Sequence, residues 1–282
     1  VYRHRAVAAA LVSICLLAAG CGGTGSPQAS GTPSSDTSGA PANLPSASSS
    51  ASHGDPGSTA DGLPAVPSFD PPPAAVPPKL TAAAGEVPAI HEIATTQKVA
   101  FITMDDGAVR EPRAAAMLRK ANVPVTLFLM GNDVDPAPAY FRGLQDAGAK
   151  IEDHTQTHPE MPHLSATRQK QEICPVADKY QKLFGKRPTL FRPPYGDYNT
   201  TTKKMVAACG LSYLVLWRET TDNGKVFYQR PDKKVHPGDI ILMHFRVAFV
   251  RDFAAVLWAI KKAGLTPAVL QDYLPAKSSS AP

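Results

Sequence analysis

Four short polar clusters in this 282-residue chain carry side chains capable of chemistry. The first, Thr103-Met104-Asp105-Asp106-Gly107, sets two carboxylates side by side. Adjacent carboxylates repel, so such a pair is costly unless a cation or a proton lies between them. Successive side chains at a strand end point in different directions, which suits two distinct tasks, and Gly107 permits a sharp turn. The second cluster, Asp153-His154-Thr155-Gln156-Thr157-His158-Pro159, places two imidazoles four residues apart, within reach of one metal ion from a single helical turn. Joined by a carboxylate from another strand end, they make a three-ligand set with open positions, the composition of a catalytic metal site and not of a structural one. In the third, Phe191-Arg192-Pro193-Pro194-Tyr195-Gly196, two prolines stiffen a loop that can turn the Tyr195 amide N–H toward a developing oxyanion, while Arg192 can hold a carboxylate. The fourth, Ile241-Leu242-Met243-His244, ends in a histidine suited to general-acid work near neutral pH. Singly, each cluster also reads as ordinary structure: a turn, a packed helix face, a rigid loop, a strand-end histidine.

The elements that must position these clusters follow from hydrophobic periodicity. Strands are predicted over 98–103, 125–130, 150–152, 190–191, 213–216, 239–243 and 265–269. Helices are predicted over 110–120, 139–147, 165–183, 200–209 and 252–263, the third interrupted or kinked at Pro175. Strands alternating with helices of this length imply a parallel sheet with crossover helices. About seven such units favour an α/β fold, a distorted (β/α) barrel of parallel strands with outer helices. All four clusters then fall at strand C-terminal ends, where barrels of this type gather their chemistry.

Composition divides the chain. Residues 22–85 hold 12 of the 28 prolines and one aromatic residue, Phe69, too little apolar surface to offset the entropy of ordering them. They read as a disordered linker, leaving one folded domain over 86–276 and a disordered tail over 277–282. Ahead of the linker, Arg3 and Arg5 precede an apolar run over 6–17 and small residues before Cys21, the pattern of an export signal over 1–20. The run is short for a membrane span. Leu17-Ala18-Ala19-Gly20-Cys21 resembles the lipobox of bacterial lipoproteins, which implies a lipid anchor on Cys21 and a protein facing the cell wall. The net charge is +5, and residues beyond 85 hold 26 Lys/Arg against 20 Asp/Glu, with no dense basic stripe interleaved with aromatics, so nucleic-acid binding finds no support. Cys174 and Cys209 are an even pair in an oxidising compartment; a disulfide and two separately buried thiols both stand open. Trp258 sits among Phe253, Val256, Leu257 and Ile260 on a helix and reads as core.

Taken together and in this order, over about residues 95–272, the clusters resemble the polysaccharide deacetylase family, the NodB-homology domains of carbohydrate esterase family four. Val125-Thr126-Leu127-Phe128-Leu129-Met130-Gly131 and Phe184-Gly185-Lys186-Arg187-Pro188 also look like the family. The resemblance implies metal-dependent removal of acetyl groups from an acetylated polysaccharide by a monomer, with peptidoglycan N-acetylglucosamine or N-acetylmuramic acid as the natural target and chitooligosaccharide as another. It implies Asp105 as general base, Asp106, His154 and His158 as ligands of Zn2+ (or another divalent transition ion such as Co2+), and Tyr195 N–H as oxyanion donor. It further implies Arg192 orienting the base, His244 protonating the leaving amine, and Leu242, Pro193 and Trp217 lining the substrate pocket. The family commonly supports its arginine with an acidic residue beside a tryptophan. Here Leu216-Trp217-Arg218-Glu219-Thr220-Thr221-Asp222-Asn223 spaces the carboxylates unusually, leaving Glu219 or Asp222 for that role. This departure motivates the alternative of a catalytically silent glycan-binding lipoprotein on the same fold.

Overall fold

The structure is a computed structural model and describes residues 62–275. The export signal, Cys21, the linker up to residue 61 and the tail beyond 276 lie outside the described residues. In chain order the elements are β1 (Ala89–Ile90), β2 (Val99–Asp106), α1 (Ala114–Ala121), β3 (Thr126–Leu129), α2 (Gly131–Val134), α3 (Pro138–Asp146), β4 (Lys150–Asp153), α4 (Ala166–Phe184), β5 (Leu190–Phe191), α5 (Thr200–Ala208), β6 (Tyr213–Val215), β7 (Glu219–Asp222), β8 (Lys225–Tyr228), β9 (Ile240–His244), α6 (Phe249–Lys262) and β10 (Thr266–Pro267). The strands form one sheet in the order β1-β6-β5-β4-β3-β2-β9-β7-β8, with β10 paired to the start of β2. All pairings are parallel except the β7–β8 hairpin. The sheet curls into a half-barrel with helices outside, as the strand–helix alternation predicts.

Alternation along β2 shows how the sequence builds two layers. Ala100, Ile102 and Met104 face outward into the core shared with α1, α3, α4 and α6, whereas Val99 and Phe101 join the inner cluster with Phe128, Leu190, Val215 and Ile240. Both faces are therefore apolar, as a sheet covered on both sides requires. Continuing the inward set of β2 beyond Phe101 brings Thr103 and Asp105 into the barrel interior. A third cluster seats α4 and α5 on the outer face of β5 and β6 through Ile173, Ala177, Val206, Phe191 and Leu214.

Parallel register decides what meets at the rim. Asp105 lies beside His244, Asp106 beside Leu129, Leu129 beside Asp153, and Asp153 beside Phe191. The residues that follow, His154 and Arg192, thus emerge at one level. β6 runs on through Leu216–Arg218 into β7, so one segment pairs with β5 at its start and β9 at its end. At the opposite end of the barrel, Ile93 N–H donates to Gly238 O at 2.8 Å, tying the segment after β1 to the start of β9.

Four sequence expectations change. The long helix runs unbroken through Pro175. The β7–β8 hairpin is an addition: polar Glu219–Asp222 pairs with Lys225–Tyr228, and strands of four residues a side without apolar alternation escape periodicity. Residues 62–85, read from composition as part of the linker, lie against the domain. Leu63 is buried, Trp258 Nε1 donates to Ala65 O at 3.3 Å, Lys261 Nζ to Ser68 O at 2.7 Å and Tyr273 OH to Pro73 O at 3.3 Å. Backbone carbonyls of a proline-rich segment can bond to a partner without that segment forming secondary structure. Trp258, expected in the core, is half exposed because its indole N–H serves this segment. Among the described residues no helix is long and apolar enough to cross a membrane.

Candidate active site

The sharp ends of strands make the site. Asp105, buried near the end of β2, accepts at Oδ1 from Arg192 Nη1 at 2.7 Å. Asp106 follows with φ 78°, a left-handed conformation that swings its carboxylate away from the strand axis. Gly107 then turns at φ 117°, where a Cβ would lie 2.8 Å from Phe141 Cζ, so both conformation and space demand glycine.

His154 and His158 meet Asp106 as the sequence predicts, but not from a helical turn. The segment after β4 is irregular, with Thr155 at φ 69° and His158 at φ 61°. Side chains impose that shape: Thr155 N–H donates to Asp153 Oδ1 at 2.9 Å and His158 N–H to Thr155 Oγ1 at 3.0 Å. Glu172 of α4 clamps the middle, accepting from Thr157 N at 2.9 Å and Thr157 Oγ1 at 3.0 Å. Its role was not foreseen; a carboxylate on the buried stripe of α4, beside Gln169, Ile173 and Val176, was the available signal.

Both His154 Nε2 and His158 Nε2 lie 3.6 Å from Asp106 Oδ1, and the three donor atoms fall within 4.8 Å of one another. Bonds of about 2.0–2.1 Å to a tetrahedral ion set donor atoms about 3.3 Å apart, so the set fits a single divalent cation after small movements. Its tautomeric chemistry fits as well. His154 Nδ1 is 2.7 Å from the Arg192 carbonyl, which only accepts, so Nδ1 carries the proton and Nε2 presents its lone pair. Burial pushes the Asp106 carboxyl up, yet hydrogen bonding and charge from His154, with His244 and His158 adding, hold it below the usual carboxylate range. Burial lowers the His244 imidazole, partly offset by Asp105. Its Nδ1 is buried without a hydrogen-bond partner.

Arg192 is wholly buried and each of its three guanidinium nitrogens has an acceptor. Nη1 donates to Asp105 Oδ1 and to Thr103 Oγ1 at 2.8 Å, Nε to Val215 O at 3.1 Å and Nη2 to Leu216 O at 3.2 Å. The carbonyls of Val215 and Leu216 lie where β6 ends, so the side chain satisfies backbone groups there. Its carbon sits 4.2 Å from the Phe128 ring centroid. Neither acid considered for its support touches it. Glu219 is buried beside Asp239, with Arg230 Nη1 3.8 Å away, and burial raises its pKa to about 9. Asp222 pairs instead with Arg246.

A cavity of about 330 Å³ opens over these groups, lined by Asp105, Asp106, His154, His158 and His244 together with Pro193, Tyr195, Trp217, Leu242, Thr220 and Arg246. Every site residue expected from sequence in the folded domain reaches it except Arg192, which lies beneath; Thr220 and Arg246 are additions. Tyr195 adopts φ 61° and is 65% exposed, its ring edge-on to His158 at 4.6 Å. Cys174 and Cys209 form a disulfide that ties α4 to the end of α5, resolving the choice left open by the sequence.

Fold and rim together bring a His/Asp cluster that could hold a metal ion and an arginine-held carboxylate to the mouth of a curled parallel sheet. The profile of the polysaccharide deacetylase family matches residues 92–214. An uncharacterised protein of Streptomyces coelicolor is 38% identical over 192 residues, covering 66% of this chain and 77% of its own length. The peptidoglycan-N-acetylmuramic acid deacetylase PdaA of Bacillus subtilis is 28% identical over 194 residues, covering 64% of this chain and 73% of that protein. The chain belongs to the polysaccharide deacetylase family, carbohydrate esterase family four. A family-four pseudoenzyme from Bacillus anthracis shares the fold with a TM-score of 0.59 at 21% identity, over 66% of this chain and 69% of that one.

Proposed function

We propose that this protein hydrolyses N-acetyl groups on a cell-envelope polysaccharide, peptidoglycan above all, releasing acetate and leaving a free amine on the sugar. One observation carries the reading: Asp106, His154 and His158 converge within 4.8 Å, with Asp105 and His244 beside them at the rim. A Zn2+ ion held by the three ligands would polarise the acetamide carbonyl and lower the pKa of a water. Asp105 takes the proton from the attacking water; Arg192 fixes Oδ1 and leaves Oδ2 to receive it. The Tyr195 N–H stands ready for the negative charge on the carbonyl oxygen, and the left-handed turn at that residue sets its direction. His244, across the ladder from Asp105, gives a proton to the departing nitrogen as the C–N bond breaks. Leu242 and Trp217 bound the acetyl group and sugar. Export and a lipid anchor on Cys21 would bring this site to the wall.

The full chain supplied with Zn2+ is expected to release acetate from an N-acetylated glycan. Asp105→Asn, which keeps the shape but not the proton acceptor, should lower kcat by at least about 100-fold. His154→Ala should abolish activity and cut metal uptake measured by elemental analysis. Full turnover in either variant would exclude the assigned roles, and glycan binding with no acetate at any metal concentration would leave the silent binder standing.

A further inference from the structure

Arg246 lies two residues beyond His244, on the turn that joins β9 to α6, and lines the cavity. Among the described residues lining it, Arg246 alone carries a permanent positive charge. Arg192 cannot offer its guanidinium to a ligand, being buried and bonded to Asp105, Thr103 and two carbonyls. Arg246 is differently placed. Its partner is Asp222 on the β7–β8 hairpin, Nη1 to Oδ1 at 3.1 Å, with side chains 47% and 49% exposed. A pair this open contributes little, and solvent and salt loosen it further. The guanidinium therefore remains available to a carboxylate that it can grip through two parallel N–H bonds. A neutral sugar gives such a group nothing that water does not.

We propose, resting on the deacetylase reading, that Arg246 binds a carboxylate borne on the sugar next to its acetamide. The substrate class is then an acidic N-acetylhexosamine, the muramic type with its ether-linked lactate, in preference to a neutral chitin-like chain. Asp222 holds the guanidinium in the absence of substrate and is exchanged for the substrate acid.

The test compares a disaccharide of N-acetylglucosamine and N-acetylmuramic acid, its lactyl carboxyl free, with the same compound as the lactyl methylamide, which keeps the size and loses the charge. For the full chain with Zn2+, kcat/KM should favour the free acid by about tenfold, carried by KM. Arg246→Gln should bring that ratio near one, while Asp222→Asn, which frees the guanidinium, should raise it. Opposite shifts from the two members of one ion pair are not expected of a merely structural contact. Binding of both compounds is also measured by titration calorimetry, independent of turnover. Tighter binding of the free acid without acetate release would sink the deacetylase reading and leave this one intact. Equal binding of the two by the wild type, or a preference that survives Arg246→Gln, would overturn it.

Discussion

Asp106, Thr155, His158 and Tyr195 all hold positive φ without being glycine, and all four belong to the rim or to the loop that shapes it. Each such residue costs of order 1–3 kcal/mol and persists only where its surroundings dictate the conformation. Here the dictation is visible in Asp153 and Thr155 capping the ligand loop and in Glu172 gripping Thr157. Glu152, two residues before His154, shows the same dependence on buried polar partners. Its carboxyl is enclosed, accepts from Thr189 N at 2.7 Å and Leu190 N at 2.8 Å, and burial raises its pKa to about 7. The folded state therefore binds a proton that the unfolded state has released, so stability falls as pH rises from about 4.5 to about 7 and levels off above. The loss approaches about 3 kcal/mol at most. Glu152→Gln should flatten that part of the profile, so that the variant loses less Tm than the wild type between pH 5 and pH 8 in thermal denaturation.

At the scale of elements, the barrel is held where its ladders run out. Arg192 reaches the carbonyls at the end of β6, and the Ile93–Gly238 contact ties β1's continuation to β9. Gly238 allows no alternative, because a Cβ there would sit 1.9 Å from the Ile93 carbonyl oxygen and its φ is +87°. Gly238→Ala must push these segments apart and lose the bond between them. A loss of at least about 3 kcal/mol is expected, read from the urea midpoint, together with lower soluble yield. An unchanged midpoint would mean that the barrel does not depend on this closure.

The whole molecule adds covalent and peripheral restraint. The disulfide spans 35 residues and fastens α4, the helix carrying Glu172, to α5. Replacing both cysteines with alanine should cost about 2–4 kcal/mol, measured by equilibrium unfolding, and reductant should have the same effect on the wild type but none on the variant. Residues 62–85 cover α6 from outside, through Trp258 and Lys261, on a different element from those that bear Asp106, His154 and His158.

Strand–helix alternation, the four clusters and their placement at strand ends were legible in the sequence, because side-chain periodicity and local turn chemistry are properties of neighbouring residues. So was the grouping of Asp106 with His154 and His158, which rests on residue type and on resemblance. The irregular ligand loop was not legible, since it depends on Glu172 arriving from another helix. The pairing of Arg192 with Asp105 followed from the resemblance, but its further support did not: Glu219 and Asp222 lie near in sequence, yet the packed barrel gives the guanidinium Thr103 Oγ1 and the carbonyls of Val215 and Leu216 instead. Residues 62–85 read as linker because composition measures what a segment can bury by itself, not what the domain offers it. Contacts between residues far apart in the chain are set by packing, and only the assembled barrel brings them together.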